Sequence, residues 1–569
     1  MPLLRPLYSD IVSETTAATW ARNHERAIAA GVWALGAMIY FRDWFVSGFD
    51  TLTGDRGDAR LAIFLQEHWF RWIRGEGRWN SPSMFFPTRN TLGYSDAYFL
   101  NMVVYAPCRF VGFDQFVAYE LTLIALTAVG FAATVRILRH HLRLSMGAGL
   151  VLAYVATFTN NLFVDSGHSQ MYLVNIVPAV VLLGLETLQA ERLRNRLLLA
   201  ASTGLLFGLL AFSAFYIAWF GAVVATMVIV GVGIATSLDG GAAVLWTAVR
   251  SRARELVALV AGFGVAMIAF AATYLPVLNQ TGGRTWAEVS NLAPLRGDLI
   301  NVGRRNLMWG WIVTPLLDGD VRLDTLARAV APTPVVLILV VVAGWSLWRR
   351  RRSGDRSLAD TIGATTATVV LIVWVLPVRF RVGSVWYWLY RFVPGGSAIR
   401  VPGRIEVLNS WLAVVAIGCW LAARARSVGA ERESERRRWQ SWVLPALLCL
   451  AATEQLNTTI GYRRFDRSDE LAALSAVPPA PAGCTAFAVT DPTRTEYDGV
   501  SIDAMLIAHE VGLPTVNGYS GQVPEGWTLR PWEDDYETSV TAWAVEHGLS
   551  LCSYNLATHA WSIPATPER

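Results

Sequence analysis

Apolar stretches of about 20 residues recur along this 569-residue chain, and that is the length an α-helix needs to cross a bilayer. By this measure the candidates fall near 27–46, 115–136, 145–163, 171–190, 197–213, 215–236, 255–276, 333–348, 360–378, 405–424 and 441–458, about eleven spans. Such a chain is expected to be an α-helical polytopic membrane protein, because backbone groups in hydrocarbon must be satisfied within each helix. Composition points the same way: 53% of residues are hydrophobic, 16% are charged, and the mean hydropathy is +0.37.

The formal net charge is only +4, and the basic residues gather in short clusters between apolar runs. They read as topology markers, and no nucleic-acid partner is expected. RILRHHLR at 136–143, ERLRNR at 191–196, the Arg250 to Arg254 cluster, RRRR at 349–352 and RARSVGAERESERRR at 424–438 all fall on one side of the membrane. The positive-inside rule makes that side cytoplasmic, with the amino terminus inside and the carboxyl terminus outside. Met1 to Arg26 is polar and mixed, without the apolar core of a cleavable signal, so the first span is expected to stay attached. The run from Leu197 to Thr236 overshoots a bilayer as one helix and is read as a hairpin near Phe212 to Tyr216. Without that hairpin every later loop changes side.

This topology puts outside a first loop from about Ser47 to Ala97, a turn at 164–170, loops at about 277–332 and 379–404, and a tail from about Thr459. Within the first loop, Leu61, Phe64, Leu65, His68, Trp69 and Trp72 recur at helical spacing with charges opposite. That pattern predicts a helix lying flat in the membrane interface, holding Asp55 and Asp58 against the surface. The chain is thus expected to divide into a transmembrane part, 1–458, and a small extracytoplasmic α/β part, 459–569. In the latter, strands are expected at 484–490, 513–518 and within 551–563, with helices at 501–512 and 536–548. Of five cysteines only Cys484 and Cys552 lie in this tail, where a disulfide and a reduced pair are both open.

The chemistry centres on GDRGDAR, Gly54 to Arg60. Two carboxylates and two arginines at the lip of a bilayer are costly to place there, which points to a functional site, although a solvated loop with local ion pairs would read the same. Asp55 and Asp58 are spaced to share a helix face, or to meet in one cleft if the glycines make a turn. Asp96 in TLGYSDAYF, His168 and Gln170 in DSGHSQMYL, and Arg400 and Arg404 in SAIRVPGRIEV fall on the same outer face. A pocket collecting them would suit transfer from a phosphate-linked donor: guanidinium forks hold the phosphate, an imidazole donates to it, and a carboxylate takes the proton of an incoming hydroxyl. The plainer alternatives are a histidine that caps the turn after Gly167 and arginines that snorkel from helix ends.

In their order, GDRGDAR, the following RWNSPSMFFPTRNTLGYSD, GHSQ and IRVPGR resemble the GT-C superfamily of integral-membrane glycosyltransferases, in particular its bacterial YfhO-like and dolichyl-phosphate-mannose mannosyltransferase-like branch. The resemblance implies a polyprenyl-phosphate sugar donor, an extracytoplasmic glycan, lipid or protein acceptor, and the inner membrane of a bacterium as location. It also implies an acidic general base from the first loop, here Asp58 or Asp55. Arg404, Arg400, His168 and Arg60 would then serve the donor phosphate, and Asp96, Gln170 and His68 would line the pocket. No cofactor is required: carboxylates could hold a divalent cation, but arginines make one unnecessary. NGYSGQVPEGW at 517–527 is similar to outer domains of such proteins and is read as a turn with a packed tryptophan. A transporter of lipid-linked glycan, or an envelope scaffold, would share the helix count; paired broken helices and internal repeats would mark the transporter, and neither is seen.

Overall fold

The computed structural model describes residues 24–52, 54, 56–317, 328–353, 357–428, 440–458, 465–490, 499–531 and 533–563. Among them, 8 helices are long and apolar enough to cross a membrane, matching the expected runs from 115–136 through 255–276 together with 360–378 and 405–424. The other three expected spans are helical but do not reach that measure. Glu25–Tyr40 has 16 residues and gives way at Phe41 to the short helix Arg42–Ser47. Pro334–Arg352 ends on four arginines, and Gln440–Thr453 has only 14 residues. The protein is a multi-pass membrane protein, with 8 helices of full span length among the described residues and three shorter or more charged helices at the remaining apolar runs.

Burial ranks the helices. Pro402–Arg426 is buried over 89% of its apolar stretch and stands in the middle of the bundle, whereas Ala253–Thr281 is buried over only 11% and presents most of its surface outward. The latter packs on Leu193–Ser213 through small residues: any side chain on Gly204 would strike the Leu259 carbonyl, and one on Gly262 would strike that of Ala201. Close backbone approach of this kind is how helices associate where lipid removes the hydrophobic incentive.

The long apolar run breaks at Ala214, which is extended (φ −149°, ψ 90°), and a new helix starts at Phe215. The break is seated on the first loop: the Ser213 carbonyl accepts from the Tyr98 N–H and the Asp96 carboxylate accepts from the Phe215 N–H. At the opposite end the arginine clusters pair across elements, Arg139 with Glu25, Arg136 with Glu186, Arg196 with Glu255 and Arg351 with Asp239. The alternation of ends expected from sequence is therefore present in the fold.

The helix Asp58–Ile73 departs from its expected place. Every residue from Ala59 to Phe70 is buried, so the helix is enclosed on all sides rather than laid on an open interface. Its charges explain this. Glu67 accepts from Arg109 (2.8 Å) and Tyr105 (2.7 Å), and Arg60 pairs with Asp503 and Glu470 of the tail, so the polar face is covered by partners instead of water. Phe64 stacks on His509 of the tail helix Gly499–Val511.

The tail holds a three-stranded sheet. Ala486–Thr490 runs parallel to Leu551–Asn555, which pairs antiparallel with Ala560–Ser562. The expected strand at 513–518 carries only a bridge between Phe487 and Thr515, since Pro514 has no N–H to donate. It nevertheless joins the tail to the first loop, because the Phe85 and Phe86 N–H groups donate to the Asn517 and Thr515 carbonyls. Thr51–Leu52 pairs with Phe465–Asp466 in the same way. Cys484 and Cys552 are disulfide-bonded with Cα atoms 5.8 Å apart, while Cys108, Cys419 and Cys449 are free.

Candidate functional site

Asp58 is the first residue of its helix, where the free N–H groups favour a carboxylate. The approach to it requires glycine: Gly54 sits at φ +114° with Ala59 and the Gly167 carbonyl against its α-carbon, so the first motif lies directly beside GHSQ. The Tyr519 hydroxyl donates to Asp58 Oδ1 (3.1 Å), and His168 Nδ1 lies 2.6 Å from Oδ2. The Asp58 side chain is 30% exposed. Burial by itself would raise its pKa, but the hydrogen bond and charge of His168, the charge of Arg404 and the Tyr519 hydroxyl hold it down at about 2.

Around Asp58 opens a cavity of about 600 Å³ that also takes in Asp96, His168, Gln170, Arg400 and Arg404. Arg404 is the centre of positive charge. Its Nε lies 4.0 Å from Asp165 Oδ1, beyond hydrogen-bond range, and neither atom has a hydrogen-bond partner among the described residues. Burial raises the Asp165 carboxyl to about 6 against the pull of Arg404 and His168. Burial likewise raises Asp96 to about 6, opposed by the Phe215 N–H and by Arg404 and aided by the charge of Asp58. Gln170 accepts from the Tyr98 hydroxyl (2.9 Å). Arg400 stands at the rim, its Nε 2.8 Å from Glu288 and its side chain 48% exposed.

The opposite wall is of another character. Phe270, Tyr274, Leu275 and Leu278 line it, all from the outward-facing helix Ala253–Thr281. The chamber therefore joins a charged floor to an apolar flank that leads to the bundle surface.

Not every expected residue is there. Arg60 belongs elsewhere: its guanidinium is buried between Asp503 and Glu470, so it does not line the cavity. His68 lies further along its helix, at Trp79 Oʹ of the backbone (2.9 Å), in a different cavity. Asp55 lies outside the described residues. Three participants were not singled out from sequence. Asp165 stood within the quoted DSGHSQ and its three-residue spacing from His168 was the available signal. Tyr519 stood within NGYSGQ, whose loop proves to be a wall of the chamber through Gly521 and Gln522, with the Ser520 hydroxyl on the Tyr94 carbonyl. Tyr216, under the guanidinium of Arg404 at 5.8 Å, carried no signal.

No family model matches the chain, and no curated protein matches it in sequence. In structure it is similar to the Archaeoglobus fulgidus oligosaccharyltransferase solved with Zn and sulfate, with a TM-score of 0.50 at 12% identity over 93% of this chain and 68% of that one. The chain has the GT-C fold. Two further GT-C structures align at lower scores: the archaeal oligosaccharyltransferase AglB from Archaeoglobus fulgidus with an inhibitory peptide and a dolichol-phosphate (TM-score 0.47, 13% identity, 93% and 70% covered), and ArnT from Cupriavidus metallidurans bound to undecaprenyl phosphate (TM-score 0.42, 12% identity, 93% and 88% covered). On this GT-C scaffold no three His, Cys, Asp or Glu side chains come together as metal ligands among the described residues. Of the two oxygens of Asp58, one faces His168 and the other Tyr519.

Proposed function

We propose that this GT-C protein is a glycosyltransferase that moves a sugar from a polyprenyl-phosphate donor to a hydroxyl or comparable nucleophile of an envelope glycan, lipid or protein. One observation carries the reading: a single chamber combines an ionised carboxylate, an arginine whose Nε makes no hydrogen bond among the described residues, and an apolar flank on an outward-facing helix. A donor that is part phosphate and part hydrocarbon matches both walls.

The polyprenyl chain lies along Phe270, Tyr274 and Leu278, with its phosphate at Arg404 and, from the rim, Arg400. Asp58 faces the acceptor. The bond from the sugar's anomeric carbon to the phosphate oxygen breaks as that carbon bonds the acceptor oxygen; the phosphate keeps the electron pair and Asp58 takes the proton. A carboxylate held at about 2 is fully ionised at neutral pH but weakly basic, and His168 in contact with it orients the carboxylate toward the acceptor. The Arg-rich ends face the cytoplasm of a bacterial inner membrane, and the chamber, with the 459–569 segment over it, faces outward.

Replacing Asp58 by Asn in protein that still folds is expected to lower transfer by about 10²–10⁴-fold, read as loss of sugar from radiolabelled polyprenyl-phosphate donor. Undiminished transfer would remove Asp58 as the base.

A further inference from the structure

A second cavity, of about 620 Å³, lies at the far end of the Asp58–Ile73 helix, between the first loop and the tail helix Gly499–Val511. From Asp58 to His68 the helix climbs about 15 Å, so the two cavities serve different groups. Phe85 is the partition. It is fully buried edge-on to Tyr94, which lines the chamber, while its neighbours Met84 and Phe86 line the second cavity.

Charge in this cavity is unbalanced. Arg71, Arg78 and Arg89 line it against one carboxylate, Glu76. Glu76 is committed to Arg71 (2.7 Å) and Arg74 (3.5 Å), and Arg71 also donates to the His509 carbonyl (2.5 Å). Arg78 and Arg89 are exposed and make no ion pair among the described residues. Two imidazoles face the same space. His68 Nε2 donates to the Trp79 carbonyl, and His509, stacked on Phe64 with ring centroids 4.2 Å apart, buries an Nδ1 that has no hydrogen-bond partner among the described residues. Burial lowers both pKa values, that of His68 to about 4, so both rings are neutral at physiological pH.

A buried ring nitrogen without a partner calls for one. In either tautomer it is met by a sugar hydroxyl, which both donates and accepts. Guanidinium forks select carboxylate or phosphate oxygens, and Met84, Phe86 and Pro514 supply an apolar floor for the carbon face of a ring. We propose that this cavity is a second binding site, for a sugar that carries an anionic group, with Arg78 and Arg89 on the anion and His509 on a hydroxyl. The site does not depend on the transfer chemistry assigned to the chamber.

The test is calorimetric titration of the full-length protein in nanodiscs with glucose 6-phosphate, glucuronate, glucose and inorganic phosphate. At least one anionic sugar binds tenfold or more tightly than glucose and inorganic phosphate, and which of the two binds better assigns phosphate or carboxylate as the anion. The double variant Arg78→Ala, Arg89→Ala, altered only at exposed side chains and checked by thermal unfolding, weakens that binding at least tenfold. His509→Leu narrows the advantage of the sugar over inorganic phosphate while phosphate binding stays. Arg404→Ala leaves all of it intact. The proposal is overturned if neither anionic sugar binds, if inorganic phosphate binds as tightly, or if binding survives the double variant and is lost with Arg404→Ala.

Discussion

The two ends of the bundle carry similar charges, and one arginine at the chamber end, Arg404, is held differently from those at the other. At the arginine-rich end carboxylates are paired across elements: Arg136 reaches Glu186 at 2.7 Å, Arg139 reaches Glu25 at 2.6 Å, and Arg196 reaches Glu255 at 3.0 Å. At the chamber end Asp58 meets His168 at 2.6 Å and Arg400 meets Glu288 at 2.8 Å, but Arg404 stands 4.0 Å from Asp165 with the facing atoms without hydrogen-bond partners among the described residues. Paired charges fasten helices. A guanidinium held short of hydrogen-bond contact in a partly dry cavity keeps donors for a ligand.

Several measurements sharpen or break this contrast. Next to Asp58→Asn, the largest effect is expected for Arg404→Ala, which should lower transfer by about 10²–10³-fold at unchanged thermal stability, the scale seen when one charge-stabilising donor is removed; a loss of folding with normal specific activity would make Arg404 a fastener like those at the other end. Tyr519→Phe removes a hydrogen bond to an ionised carboxylate and should cost about tenfold in kcat, while the acid limb assigned to Asp58 moves upward from its depressed position. Should kcat and the pH profile both stay put, the tail loop merely packs there.

The pH dependence of stability separates the acids. Asp58, lowered to about 2, contributes stability at all pH values above its unfolded value and loses it only as pH falls through 2. Asp165, raised to about 6, has the opposite sign: its contribution is complete below the unfolded value and is lost as pH rises through 6. Asp165→Asn should therefore gain thermal stability over the parent between pH 5 and pH 8 in detergent-solubilised protein, and no gain would contradict the raised value. Arg136→Ala at the opposite end should cost no more than about 1 kcal/mol and leave transfer untouched, since its pair with Glu186 is half exposed. Smallest of all, chelation with EDTA should change rates by less than about twofold; a collapse reversed by added Mg²⁺ or Mn²⁺ would place a cation in the chamber.

Much of the architecture was legible in the residues. The apolar runs, the hairpin that breaks at Ala214 and the sidedness of the arginine clusters follow from bilayer thickness and the cost of charge in hydrocarbon, which act on each segment separately. So does the gathering of Asp58, Asp96, His168, Gln170 and Arg404 at one end, because alternation of spans alone puts them there. What alternation does not assign is a partner. Arg60 and Asp58 lie two residues apart on one helix, yet only one faces the chamber, since the other points at Asp503 and Glu470.

Local pattern, then, determined that this chain spans a membrane, which ends share a side, and which charged motifs meet at that side, each being a matter of length, hydropathy and spacing. Tertiary packing decided that the Asp58 helix is enclosed rather than interfacial, that Tyr519 from the distant tail reaches Asp58, and that His68 and His509 share a cavity of their own. Those outcomes depend on contacts between segments more than 400 residues apart, such as Tyr519 with Asp58 at a separation of 461, and no local periodicity encodes which buried surface a remote loop will cover.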